Sequence, residues 1–181
     1  MISRQSAYEL VVKHISNPHM IRHSLSVEAV MRGLAERFGE DVELWGVTGL
    51  LHDLDTDQTI NDYPRHGYLT CEILEGQLPE DALHAIRVHP GHIPAESRFD
   101  WSLYCADPVT GLITAAVLVH PSHSLAEIKV SSLRKKFKDK SFAAGANRNA
   151  IISCEQIGLE LEPFLELSLT AMQGISGQLE F

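Results

Sequence analysis

Three observations predict an all-α protein built as a bundle of about eight or nine helices. Apolar residues recur at helical spacing from end to end, period-2 alternation is scarce, and glycine and proline punctuate the pattern. Pro18, Pro64, Pro79 and Pro163 stand where first turns begin, and Gly39, Gly76, Gly91 and Gly158 mark stops. The first helix is expected over 5–15. A second, over 18–38, carries the stripe Val27, Val30, Leu34, and a third, over 41–54, places Trp45 and Thr48 on one face and Gly46 and Gly49 on another. Helices over 64–76 (Leu69, Ile73) and 79–89 (Ala82, Ile86) follow, then 100–119 and 124–138, the latter with the stripe Ala126, Val130, Leu133, Phe137. Helices over 147–159 and 162–173 complete the series, with an acidic loop at 55–63 and a Pro- and Gly-rich loop at 90–99.

A chain of 181 residues, 44% hydrophobic and 22% charged, fits a single domain over 1–181 with a sizeable core. Its start, Met1-Ile2-Ser3-Arg4-Gln5-Ser6, has no apolar run of a signal peptide, and no stretch approaches the ~20 apolar residues of a membrane span. Cys71, Cys105 and Cys154 are far apart and read as core thiols, so a cytoplasmic location without membrane contact is expected. The net charge of −9 argues against a nucleic-acid polymer as partner. Residues 129–148 nevertheless hold seven of the fifteen Lys and Arg and one acid, Asp139, which fits a small anionic substrate. Oligomeric state has no signature in the chain.

His52 and Asp53 stand side by side at the end of an apolar helix. His23 continues the Val27 stripe, His66 the Leu69 stripe and His89 the Ile86 stripe, while Asp53 shares a face with Gly46 and Gly49. Asp107, read alone, is an N-cap before Pro108. Burying such groups without partners costs several kcal/mol each. Six of them from five segments point to a shared cation, because imidazole and carboxylate are the ligands of Fe, Mn, Zn and similar ions.

The pattern His23…His52-Asp53…Asp107 resembles the HD superfamily of metal-dependent phosphohydrolases. His66, in His66-Gly67, and His89, eighteen residues before Asp107, look like the branch with a dinuclear centre. The segments Ala106-Asp107-Pro108-Val109-Thr110-Gly111-Leu112-Ile113 and Lys138-Asp139-Lys140-Ser141-Phe142-Ala143-Ala144-Gly145 are similar to a small single-domain branch of predicted HD hydrolases. The resemblance covers a core over about 20–120 and extends through a helical tail over 121–181. It implies two divalent transition metals: iron or manganese first, with zinc, cobalt, nickel or magnesium as alternatives. His23, His52, Asp53 and Asp107 would hold one ion, and Asp53 would bridge to a second held by His66 and His89. His92 would be a spare ligand, a proton donor to the leaving group or a loop residue.

Two cations about 3.5–4 Å apart can share a hydroxide and clamp a phosphoryl group for in-line attack. Asp53 would carry that chemistry, and Asp55 and Asp57 would orient a ligand imidazole or a water. Phosphate also calls for cations. Lys129, Ser132, Lys136 and Lys140 form a stripe beside the apolar face of the 124–138 helix, and Arg148 and Arg22 are further candidates. The expected function is hydrolysis of a small phosphoester, a nucleotide among the candidates, by a phosphatase or phosphodiesterase. A diiron oxygenase with the same six ligands and a non-catalytic nucleotide- or metal-binding module are the alternatives.

Overall fold

The structure, a computed structural model, describes residues 2–179; Met1, Glu180 and Phe181, which the single-domain reading takes in, lie outside the described residues. It is all-helical: α1 (Arg4–His14), α2 (Pro18–Phe38), α3 (Val42–Leu51), α4 (Thr56–Thr59), α5 (Tyr68–Ile73), α6 (Glu80–Val88), α7 (Arg98–Leu118), α8 (Val130–Lys138), α9 (Arg148–Ile152), α10 (Leu161–Gly174) and α11 (Ser176–Leu179). Three 3₁₀ turns, Tyr63–Arg65, Leu125–Glu127 and Ser153–Ile157, join them, and no strand occurs among the described residues. Buried side chains form one cluster running from Ala7 in α1 to Leu179 in α11.

Helix starts and stops follow local chemistry. Asn17 caps α2 through the His19 N–H with Pro18 in the first turn, and Gly39 ends the helix at φ 71°. Asp41 caps α3 through the Leu44 N–H, and Ser97 and Asp100 form a reciprocal capping box on α7. The α2–α3 pair is drawn close by the two glycines of α3. A Cβ on Gly49 would stand 2.9 Å from Met31 Cγ and 3.0 Å from the Val27 carbonyl oxygen. One on Gly46 would meet the Arg32 side chain at 2.6 Å, and Arg32 is itself held by Glu28 and Glu43.

Helix α7 packs against α2, α6 and α9 and buries Leu103, Val109, Leu112 and Ile113. Contrary to the expectation that no stretch approaches a membrane span, its 21 residues are long and apolar enough by composition to cross one, yet 56% of the most apolar 18 residues are buried inside the bundle. Pro108 lies within this helix, so Asp107 is mid-helical rather than an N-cap, and the Tyr104 carbonyl lacks its usual N–H partner.

Three expected helices are broken. The 64–76 segment is a 3₁₀ turn, then a kink at His66 (ψ 134°) and Gly67 (φ 81°), then α5. His66 therefore does not share a helical face with Leu69 and Ile73. The 124–138 segment is helical only from Val130, so Ala126 is exposed and Leu125 and Ile128 take its place in the core. The 147–159 segment changes from α to 3₁₀ at Ser153.

Candidate metal centre

Four imidazoles are aimed by one device: each Nδ1 is tied to a fixed acceptor, which leaves Nε2 facing inward. His52 and His89 each occupy a helix C-cap, at the ends of α3 and α6, and each donates Nδ1–H to a carbonyl three residues back, Gly49 at 2.8 Å and Ile86 at 2.6 Å. His23, on α2, donates to Thr110 Oγ1 at 3.1 Å, whose own hydroxyl donates to the Asp107 carbonyl at 2.8 Å. His66 donates to Asp55 Oδ1 at 2.7 Å. Asp55 is itself fully buried and accepts the N–H groups of Gly67 (2.8 Å) and Thr70 (3.1 Å). The turn needs Gly67: besides its positive φ, a Cβ there would lie 2.8 Å from the Ile86 carbonyl oxygen.

The Nε2 atoms converge on Asp53 and Asp107. Asp53 Oδ1 is 3.3 Å from His66 Nε2, 3.3 Å from His89 Nε2 and 3.5 Å from His52 Nε2, while Oδ2 faces His23 Nε2 at 3.5 Å. Asp107 Oδ1 lies 3.1 Å from His23 Nε2 and 3.9 Å from His52 Nε2. Ligand atoms of His23, His52 and Asp107, and separately of His52, Asp53 and His89, fall within 4.8 Å of one another, so His52 stands at the junction of two groups. His23, His52 and Asp107 are three of the four residues of the first expected set; Asp53 falls in the second group with His89, and His66, 3.3 Å from Asp53 Oδ1, falls in neither.

Two details test whether a cation fits. His52 Nε2 is buried and has no hydrogen-bond partner. His66 Nε2 and His89 Nε2 stand 3.2 Å apart, so with both Nδ1 positions protonated two lone pairs face each other. Either a proton or a metal ion must lie between them. Without metal, protons fill that role. Burial disfavours the charge on His66, but hydrogen bonds to Asp53 and Asp55 and their charge raise it to about 10. Burial likewise opposes ionisation of Asp53, yet the surrounding histidines, His52 first and then His66, hold it well below the usual carboxylate range. Burial pushes His89 down, in keeping with a neutral ring. Neutral imidazoles, ionised carboxylates and prearranged second partners are the donor set of a divalent transition ion.

Two chambers open onto these groups. The larger, about 510 Å³, lies between Tyr63, Tyr104, Pro108 and the loop from Ala143 to Asn147; the smaller, about 430 Å³, lies between α2 and α7 and is bounded by Met20, Arg22, Thr114 and Leu118. His23, Asp107 and Gly111 line both.

The remaining expected residues divide. Arg22 reaches the smaller chamber, with one guanidinium nitrogen 2.7 Å from His19 Nδ1. His92 stands apart from the centre: its ring stacks on Tyr68, and Nε2–H donates to the Tyr63 carbonyl at 3.0 Å. Lys129 is an exposed N-cap of α8, and the Lys136 ammonium sits over the Phe142 ring at 4.1 Å; neither lines a chamber. Arg148 is the clearest correction. Its guanidinium donates to six carbonyls, those of Lys136, Phe137, Asp139, Phe142, Ala143 and Ala146, and so holds the chamber wall instead of facing a substrate. Sequence reasoning missed Thr110, although it stands one turn past Asp107, and missed Tyr63, Tyr104 and the 143–147 wall, which carry no spacing signal.

Among family models, that of the HD domain matches residues 20–140, more than half of the chain and some twenty residues beyond the expected core. No curated protein and no solved structure is significantly similar to it.

Proposed function

Because the chain belongs to the HD domain family, we propose that it is a metal-dependent phosphohydrolase acting on a small phosphoester, a nucleotide among the candidates. His23, His52, Asp53, His66, His89 and Asp107 would hold the ions, iron or manganese first. The observation that carries this reading is the buried, unpartnered Nε2 of His52, standing where two ligand groups meet. When bound, two divalent ions supply Lewis acidity, activating water at neutral pH and neutralising phosphoryl charge.

The protein's own groups do the rest. Asp53, with one oxygen toward His23 and the other toward His66 and His89, is the residue suited to link two ions. Asp55 fixes the His66 ring and so keeps Nε2 inward. Arg22 offers positive charge beside His23. Tyr63, Tyr104 and the 143–147 loop wall the larger chamber, where the organic part of a substrate would lie. His92 has no part in this reading, since its Nε2 is committed to a carbonyl. The small single-domain branch, a single domain over 1–181, a cytoplasmic location, and a partner list limited to a small phosphorylated molecule belong to the same proposal. The branch rests on the 106–113 and 138–145 segments, the single domain on the length of 181 residues, the location on the three unpaired cysteines, and the partner list on the net charge of −9.

Anaerobic purification with metal analysis, followed by assays of phosphomonoesters and phosphodiesters with Mn²⁺, Fe²⁺, Co²⁺ and Mg²⁺, tests it. The expected result is close to two equivalents of metal and turnover without oxygen. Substrate loss that consumes oxygen would replace this reading with the diiron oxygenase.

A further inference from the structure

The two chambers meet on the same three residues, yet their linings differ. The larger has two aromatic rings, two prolines and a wall of small residues, and no Lys or Arg lines it among the described residues. The smaller combines the apolar Met20 and Leu118 with Thr114 and a single cation, Arg22. Gly111 borders both, and a Cβ there would meet nothing within 4 Å. Each volume falls within the ~300–1,000 Å³ of a ligand pocket.

Geometry and charge bear on the substrate independently. A phosphomonoester has one organic arm and needs one chamber; its doubly charged head asks for several cations around the non-bridging oxygens. A phosphodiester has two arms and a single negative charge. Here two chambers flank the ligand groups, and among the described residues the one Lys or Arg side chain lining either is Arg22, in the smaller.

We propose that the chamber between α2 and α7 receives the second ester arm of a phosphodiester, so that the substrate straddles His23 and Asp107 with its other arm between Tyr63 and Tyr104. This rests on the phosphohydrolase reading above. Hydrolysis breaks one P–O ester bond: water supplies the new P–O bond and the proton that leaves with the alcohol, and the other arm stays on a phosphomonoester product. That product, doubly charged and one-armed, is a poorer fit and departs.

The test compares bis(4-nitrophenyl) phosphate with 4-nitrophenyl phosphate on the Mn²⁺-loaded protein. The wild type is expected to prefer the diester. Thr114→Phe, which fills the smaller chamber, should lower the diester-to-monoester ratio of kcat/KM by about tenfold or more, mainly through the diester KM. Leu118→Trp narrows the same chamber from its exposed rim, where the core is not disturbed, and should move the ratio in the same direction; metal content identifies a misfolded variant. A wild type that prefers the monoester, or an unchanged ratio in metal-loaded Leu118→Trp, overturns the proposal while leaving phosphohydrolysis standing. Hydrolysis of neither ester by protein carrying two metals would remove the phosphohydrolase reading itself.

Discussion

The centre on Asp53 and the basic segment 129–148 are the two regions richest in groups suited to a phosphorylated substrate, and the fold treats them in opposite ways. At the centre, side chains from α2, the α3–α4 turn, the His66 kink, the end of α6 and the middle of α7 converge within a few ångströms. In the basic segment the cations disperse. Lys135, Lys136 and Lys138 occupy the last turn of α8, where they complement the helix dipole, and Arg148 ties down a loop. The difference lies in what each placement demands. A buried ionisable group is costly and stays only where partners repay burial, so its position carries information. A surface lysine costs almost nothing, so its abundance says little about a site.

Substitutions can sharpen or break that contrast. The largest effect is expected for Asp53→Ala, which removes the one carboxylate facing both ligand groups. Metal analysis should find both ions lost and hydrolysis abolished, and retention of two ions would end the linking role. Asp55→Asn should weaken metal binding by about 10–100-fold, the usual effect of removing a ligand's orienting partner, read by titration with Mn²⁺. Arg148→Ala should lower stability by about 2 kcal/mol, since charge-assisted hydrogen bonds to several carbonyls are lost together. It should also raise the KM while metal content holds, and an effect on metal content alone would contradict its role as a wall clamp.

A smaller effect concerns α7. Burial opposes ionisation of Asp100, but the hydrogen bond from His84 and the N–H groups of Glu96 and Ser97 hold its pKa below the ordinary carboxylate value. A depressed folded pKa gives stability that is present above the unfolded value and lost as pH falls through the folded one. Asp100→Asn should therefore cost about 1 kcal/mol near neutrality. Denaturation curves of variant and wild type should converge in acid, below the ordinary range. The smallest effect is expected for Lys129→Gln with Lys136→Gln: stability within about 0.5 kcal/mol and little change in KM. A marked rise in KM would return the basic stripe to the substrate.

The fold class was legible because helical periodicity and terminal glycines and prolines recur along the whole chain, and α2, α3, α6, α7 and α10 fall close to their expected places. Breaks inside helices were less so. Nothing in the apolar pattern of 64–76 announces that Gly67 takes positive φ, yet that one residue turns His66 into the centre. Pro108 lies inside the helix expected over 100–119, which overrules the N-cap reading of Asp107 taken alone: packing of α7 against α2 and α9 outweighs one missing N–H. His23 and His89 stood out as polar interruptions of hydrophobic stripes and His52-Asp53 as an adjacent pair ending an apolar helix. His66 and Asp107 were singled out through local readings, a helical stripe and an N-cap, that the structure replaces. Tyr63, Tyr104 and residues 143–147 did not stand out, because a chamber wall is defined by what it leaves empty and has no period.

The 143–147 part of that wall lies downstream of all six centre residues and is held by an arginine later still, Arg148. One side of the larger chamber is therefore carried by a stretch of chain separate from the reactive groups and can be inherited separately. Recombination or drift after residue 140 can change which molecules enter while the cage of histidines and aspartates stays intact. New substrates can be explored there without risking the reaction.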